Sequence, residues 1–97
     1  MEKKIEGLIR AARERRAVRV RYLPRPVERS LIRHTAGLSQ ASIARAIGVT
    51  SAAVGEYERG TAEPGYEVRS RYAALLLRLA EDVLEESIRR LKEEVAV

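Results

Sequence analysis

Ser39-Gln-Ala-Ser-Ile-Ala-Arg-Ala-Ile-Gly-Val-Thr-Ser-Ala-Ala-Val-Gly-Glu-Tyr-Glu-Arg-Gly60 is the stretch whose reading decides the fold. Ser39 and Thr50 each stand just before a short apolar-periodic run, where a hydroxyl can accept from the free N–H groups of a first helical turn. Gly48 and Gly60 follow those runs, and a glycine closes a helix in the left-handed conformation at low strain. The spacing therefore predicts two short amphipathic helices joined by a tight turn at Gly48. Ala44 falls where the two would touch. Ile43, Ile47, Val49, Val54 and Tyr57 can share one core.

Upstream, Pro24 and Pro26 end any preceding regular structure, and Pro26 or Val27 suits the first turn of a helix. Leu31 and Ile32 are expected to face inward, and Gly37 to close this helix. Before the prolines, Val18, Val20 and Tyr22 alternate with Arg19 and Arg21, the pattern of a short strand or an extended arm. A single candidate strand has no partner for a sheet within one chain. Further back, Ile5, Leu8, Ile9 and Ala12 predict an amphipathic helix from Glu2 to about Arg16.

Downstream, Thr61-Ala-Glu-Pro-Gly65 reads as a loop, and a long helical pattern runs from about Tyr66 to Glu94. Its first half, through about Leu79, can cover the core. Its second half carries Val83, Leu84, Ile88, Leu91 and Val95 as an apolar stripe that needs a partner. Two copies can pair there, and the helix from Glu2 to Arg16 can also pack on it. The two arrangements can coexist. Glu81, Asp82, Glu85 and Glu86 are read as a polar face, pairing at i,i+4 with Arg78, Arg89 and Arg90.

Composition bounds the rest. Ninety-seven residues make one small domain with a projecting tail, and dimerisation often stabilises a chain this short. With four Tyr and neither Trp nor Phe, the core is expected to be aliphatic, and the tyrosines Tyr57, Tyr66 and Tyr72 half-buried. No cysteine excludes a disulfide framework or a thiolate metal site, and the lone His34 has no constellation for catalysis. No cofactor and no metal are expected. No apolar run is long enough to span a membrane, so no membrane partner is expected and a cytoplasmic location is. Residues 1–33 hold 11 Lys/Arg against 4 Asp/Glu, a balance of +7, whereas residues 34–65 and 66–97 each balance at −1. A polyanionic partner would meet most of its positive charge in the first third.

Two short helices with this turn have the layout of a helix-turn-helix, whose second helix is offered to the DNA major groove. More specifically, the chain resembles the Cro/C1-repressor (XRE) family, in particular the short regulators of actinobacteria and their phages. The motifs that carry the resemblance are Leu23-Pro-Arg-Pro26, Ala36-Gly-Leu-Ser-Gln40, Gly48-Val-Thr50, Val54 with Tyr57, and Glu58-Arg-Gly60. It spans about Leu23 to Ala80. What it implies is an all-α, compact helix-turn-helix domain. Neither the N-terminal helix nor the far C-terminus is part of the resemblance; the residue pattern adds these as a basic N-terminal helix or arm and a long C-terminal helix, about five helices in all. Residues 1–25 would form the basic helix and arm, 26–80 the helix-turn-helix domain, and 81–97 a dimerisation element continuing the last helix. The expected function is sequence-specific binding of double-stranded DNA by a homodimeric, phage-encoded repressor with no enzymatic activity.

By position, the resemblance gives Gln40 a phosphate contact at a helix start, and the free amide groups there favour phosphate beside Ser39 and Gln40. It gives Thr50, Ser51, Ala52, Gly55 and Glu56 the groove-facing surface, and Arg59 a backbone or flanking contact. This surface departs from the usual pattern, because Ser51 to Glu56 contains no Arg, Lys, Asn or Gln to make bidentate bonds to purines. Ala52 can touch a thymine methyl and Glu56 can accept from a cytosine amino group. Gly55 is either a point of close approach to DNA or a tolerated helix glycine. Arg16, Arg19, Arg21 and Arg25, with Arg29 and Arg33, are expected to clamp phosphates or enter a minor groove. Two other readings stand beside this one. In the first, an antitoxin-like or cofactor module binds a protein partner through the C-terminal helix. In the second, the arginine-rich segment binds RNA.

Overall fold

The computed structural model describes residues 22–96, and within them the fold is entirely helical. Four helices follow one another: α1 (Pro26–Thr35), α2 (Gln40–Ile47), α3 (Ser51–Arg59) and α4 (Tyr66–Ala96). The expected helix from Glu2 to Arg16 and the alternating segment through Arg21 lie outside the described residues.

Local chemistry sets each helix end. α1 starts at Pro26, and the Glu28 carboxylate accepts from the Arg25 backbone N–H at 2.8 Å. That bond, followed by the nearby Arg25 side chain, holds the Glu28 carboxyl below its usual range. The Ser39 hydroxyl accepts from Ser42 N at 3.1 Å, and the Thr50 hydroxyl from Ala53 N at 3.1 Å. Gly48 (φ 78°) closes α2 and Gly60 (φ 76°) closes α3, both left-handed, where an L side chain would be strained. A Cβ on Gly60 would also come within 3.3 Å of the Pro26 ring, so the end of α3 sits tight against the start of α1.

The core gathers Leu23, Ile43, Ala44, Ile47, Val54, Tyr57, Tyr72, Ala73 and Leu76, with Val49, Leu75 and Leu79 packed against it. It is not purely aliphatic: Tyr57 and Tyr72 are buried against each other, ring centroids 5.9 Å apart. Tyr66, two turns before Tyr72 and off that face, is exposed instead. α1 packs on α3 and α4, and α2 packs on the same two helices.

Two expectations about side-chain direction are corrected. Leu31 is 64% exposed, because the inner face of α1 is set by Arg29, Ile32 and Arg33 and leaves Leu31 with Val27 on the outside. Glu81 is 5% exposed and does not lie on the polar face of α4. It falls in register with Leu77, Leu84, Ile88, Leu91 and Val95, a repeat of four and three residues that keeps one side of a helix. Glu86 does pair along the polar side, with Arg89 and with Arg90.

α4 extends well past the core. Its 31 residues span about 46 Å at the usual helical rise. Leu84, Leu91 and Val95 are exposed along the part beyond Leu79.

Candidate nucleic-acid interface

α3 is amphipathic in a way that fixes what it can offer. Val54 and Tyr57 anchor it to the core, and that places Ser51, Ala52 and Glu56 on the opposite, exposed side. Thr50, the N-cap, is exposed beside them. Ser39 is exposed at the start of α2, its hydroxyl also 3.0 Å from that of Ser42. The outer surface of the helix pair is thus made of small or short polar side chains.

Gln40 is only half exposed, and its amide donates to Glu58 Oε1 at 3.1 Å, tying the start of α2 to the end of α3. Gly55 is buried. A Cβ built there would lie 3.1 Å from the Arg59 guanidinium and 3.6 Å from the Gln40 side chain. Those two side chains cover it, and Arg59 itself is exposed. Gly55 is the residue that lets the Arg59 guanidinium lie back across the helix toward Gln40.

Two arginines expected to face a polyanion are internal. Arg29 is 3% exposed and Arg33 is 8% exposed. Arg29 donates to the Pro24 carbonyl at 2.7 Å, to the Tyr57 carbonyl at 3.0 Å and to the Glu63 carboxylate at 3.3 Å. It pins the lead-in, the end of α3 and the following loop together. Arg33 donates to both oxygens of Glu58, at 2.6 and 3.0 Å, and to the Leu38 carbonyl at 2.8 Å. Burial raises the Glu58 carboxyl, but the hydrogen bonds from Arg33 and Gln40 and the Arg33 charge outweigh it and hold the group below its ordinary value. One turn apart on the inner face of α1, these two arginines stabilise the domain from within. Their carboxylate partners, Glu58 and Glu63, stand 25 and 34 residues downstream, and no local pattern in the sequence announces them.

Of the remaining expected cations, Arg25 is exposed and 3.4 Å from Glu28, while Arg16, Arg19 and Arg21 lie outside the described residues. Arg45, to which the sequence reading gave no role, is exposed on α2 with its guanidinium 3.4 Å from the Ser42 hydroxyl. Its spacing from Ser42 on one helix was the available signal. Residues 22–96 carry 11 Lys/Arg and 11 Asp/Glu, so the net charge of +5 resides in residues 1–21.

Among the described residues no cluster of His, Asp or Glu could hold a metal ion. Nor is any described helix long and apolar enough to cross a membrane. What the fold does present is a short exposed helix, rigidly backed, beside the capped start of a second: a DNA-binding helix-turn-helix. Residues 31–76 match the helix-turn-helix family model, and over that stretch the chain is similar to the Cro/C1-repressor (XRE) type. No curated protein and no solved structure matches the chain.

Proposed function

We infer that the chain is a small transcriptional regulator that binds double-stranded DNA in a sequence-specific manner and represses by occluding a promoter. The observation that carries this reading is the split of α3, with Val54 and Tyr57 inside and Ser51, Ala52 and Glu56 outside. A helix of such short side chains fits a major groove about 12 Å wide. Ser39, Gln40, Thr50 and Arg59 flank that face and are the candidate backbone contacts.

With +5 confined to residues 1–21, the electrostatic part of the affinity comes from Arg16, Arg19 and Arg21, continued by Arg25, on phosphates or in the adjacent minor groove. Each neutralised phosphate contributes about 0.9 to the slope of log affinity against log salt. Changing Arg16, Arg19 and Arg21 to Ala is therefore expected to flatten that slope by about 2.7. An unchanged slope removes the arm from the mechanism.

The exposed stripe on α4 supports a homodimer, which would set two copies of α3 about 34–36 Å apart on a pseudo-palindrome. Light scattering at micromolar concentration is expected to report twice the 10.9 kDa chain. The same stripe supports a second reading, an antitoxin-like or cofactor module that takes a protein partner there and binds DNA weakly. Selection from a random duplex library separates the two: an enriched motif supports the regulator, and no motif supports the module.

A further inference from the structure

The recognition surface contains one feature that a DNA-binding face should avoid, an exposed carboxylate. Glu56 lies one turn beyond Ala52 on the outer side of α3. Its backbone carbonyl is occupied by the helix stop, accepting from Gly60 N, Thr61 N and the Thr61 hydroxyl. Its carboxylate, by contrast, has no hydrogen bond or ion pair among the described residues. Arg59, three residues on, is the natural partner on a helix surface. Its guanidinium lies instead over Gly55 beside the Gln40 amide, in space that any side chain at position 55 would take.

We propose that Glu56 reads a cytosine, and that Gly55 is the positioning residue that keeps Glu56 free to do so by seating Arg59 away from it. This rests on the reading of α3 as the helix that enters the major groove. A carboxylate is an acceptor only and is repelled by phosphate, so its place in a complex is against a base edge that donates. Only two such donors face the major groove, the amino groups of adenine and cytosine. The adenine amino group sits beside the N7 acceptor, which repels a carboxylate. Cytosine offers its amino group with no neighbouring acceptor on the same base. A carboxylate on this face therefore selects cytosine. Were Arg59 to swing onto it, the pair would be neutralised and the selection lost.

The test is selection from a random duplex library with the full chain, followed by affinities for the four base pairs at each position of the enriched site. The wild-type protein is expected to enrich a cytosine that Glu56→Ala no longer prefers, losing roughly tenfold or more of discrimination at that position only. Glu56 is exposed, so this variant keeps the fold. Gly55→Ala is expected to weaken the same preference while raising the melting temperature, since alanine favours helix over glycine. A purely structural glycine would move stability without moving base preference. A motif whose base preferences all survive in Glu56→Ala overturns the proposal and leaves DNA binding through α3 intact. An unaltered cytosine preference in Gly55→Ala overturns the seat. Enrichment of no motif by the wild-type protein overturns both this proposal and the regulator reading beneath it.

Discussion

Arg33 and Glu58 lie 2.6 Å apart between α1 and α3, with both side chains almost closed off from water. A charge left alone in such a place is far worse than a pair, so Glu58→Ala is expected to lower stability by about 3–5 kcal/mol, read by urea denaturation. The pair also has a pH signature. The Glu58 carboxyl is depressed in the fold, so its contribution is present above its ordinary value of 4.5 and is lost as pH falls through the lower folded value. Melting temperatures below pH 4.5 are expected to drop more steeply in the wild-type protein than in Glu58→Gln. Tyr72 behaves in the opposite sense. Burial, followed by the Glu58 charge, pushes its hydroxyl up from 10.0 to about 12, and among the described residues that hydroxyl has no hydrogen-bond partner. Tyr72→Phe is therefore expected to leave stability at neutral pH unchanged or raised. It should also remove the part of the alkaline loss of stability that Tyr72 causes between pH 10 and 12.

The helix-turn-helix depends on its ends as much as on its core at the scale of elements. α2 and α3 have 8 and 9 residues, too short to persist alone in water. Their caps are accordingly worth measuring: Ser39→Ala and Thr50→Ala should each cost about 1 kcal/mol in thermal or urea unfolding. α2 is closed twice, by Gly48 in the left-handed region and by Arg71, which donates from α4 to the Ile47 carbonyl at 3.1 Å. Most of these ends were legible in the sequence, because a cap is a matter between a residue and its neighbours three or four positions away. The direction of Leu31 was not. An apolar residue next to Ile32 reads as core, yet the inner face of α1 is committed to two arginines whose partners lie on α3 and in the loop after it.

Charge and apolar surface are divided along the whole molecule. Residues 22–96 are balanced, the first 21 residues carry the net +5, and the far half of α4 exposes Leu84, Leu91 and Val95. In the proposed regulator the flanks supply both affinity and valency. Leu91 is 60% exposed in the single chain, so Leu91→Lys should leave the fold intact. If α4 pairs two copies, the same change is expected to shift the light-scattering mass from dimer to monomer and to weaken binding to a two-half-site duplex more than to a single half-site.

The sequence alone determined the helices of the turn motif and the apolar stripe behind them. Hydroxyl caps, left-handed glycines and helical periodicity act over a few residues, and the backbone obeys them locally. Only the tertiary structure decided what the arginines do. Arg29 and Arg33 were expected on phosphates or in a minor groove, and Arg71 had no expected role. They serve as internal or capping donors because folding brings carbonyls and carboxylates from 5 to 34 residues away within hydrogen-bond reach. The same holds for Gly55, a weak helix residue by propensity, whose purpose shows only once Arg59 and Gln40 are seen lying over it. Long-range pairing of this kind depends on where the chain returns in space, and residue order does not encode it in any local pattern.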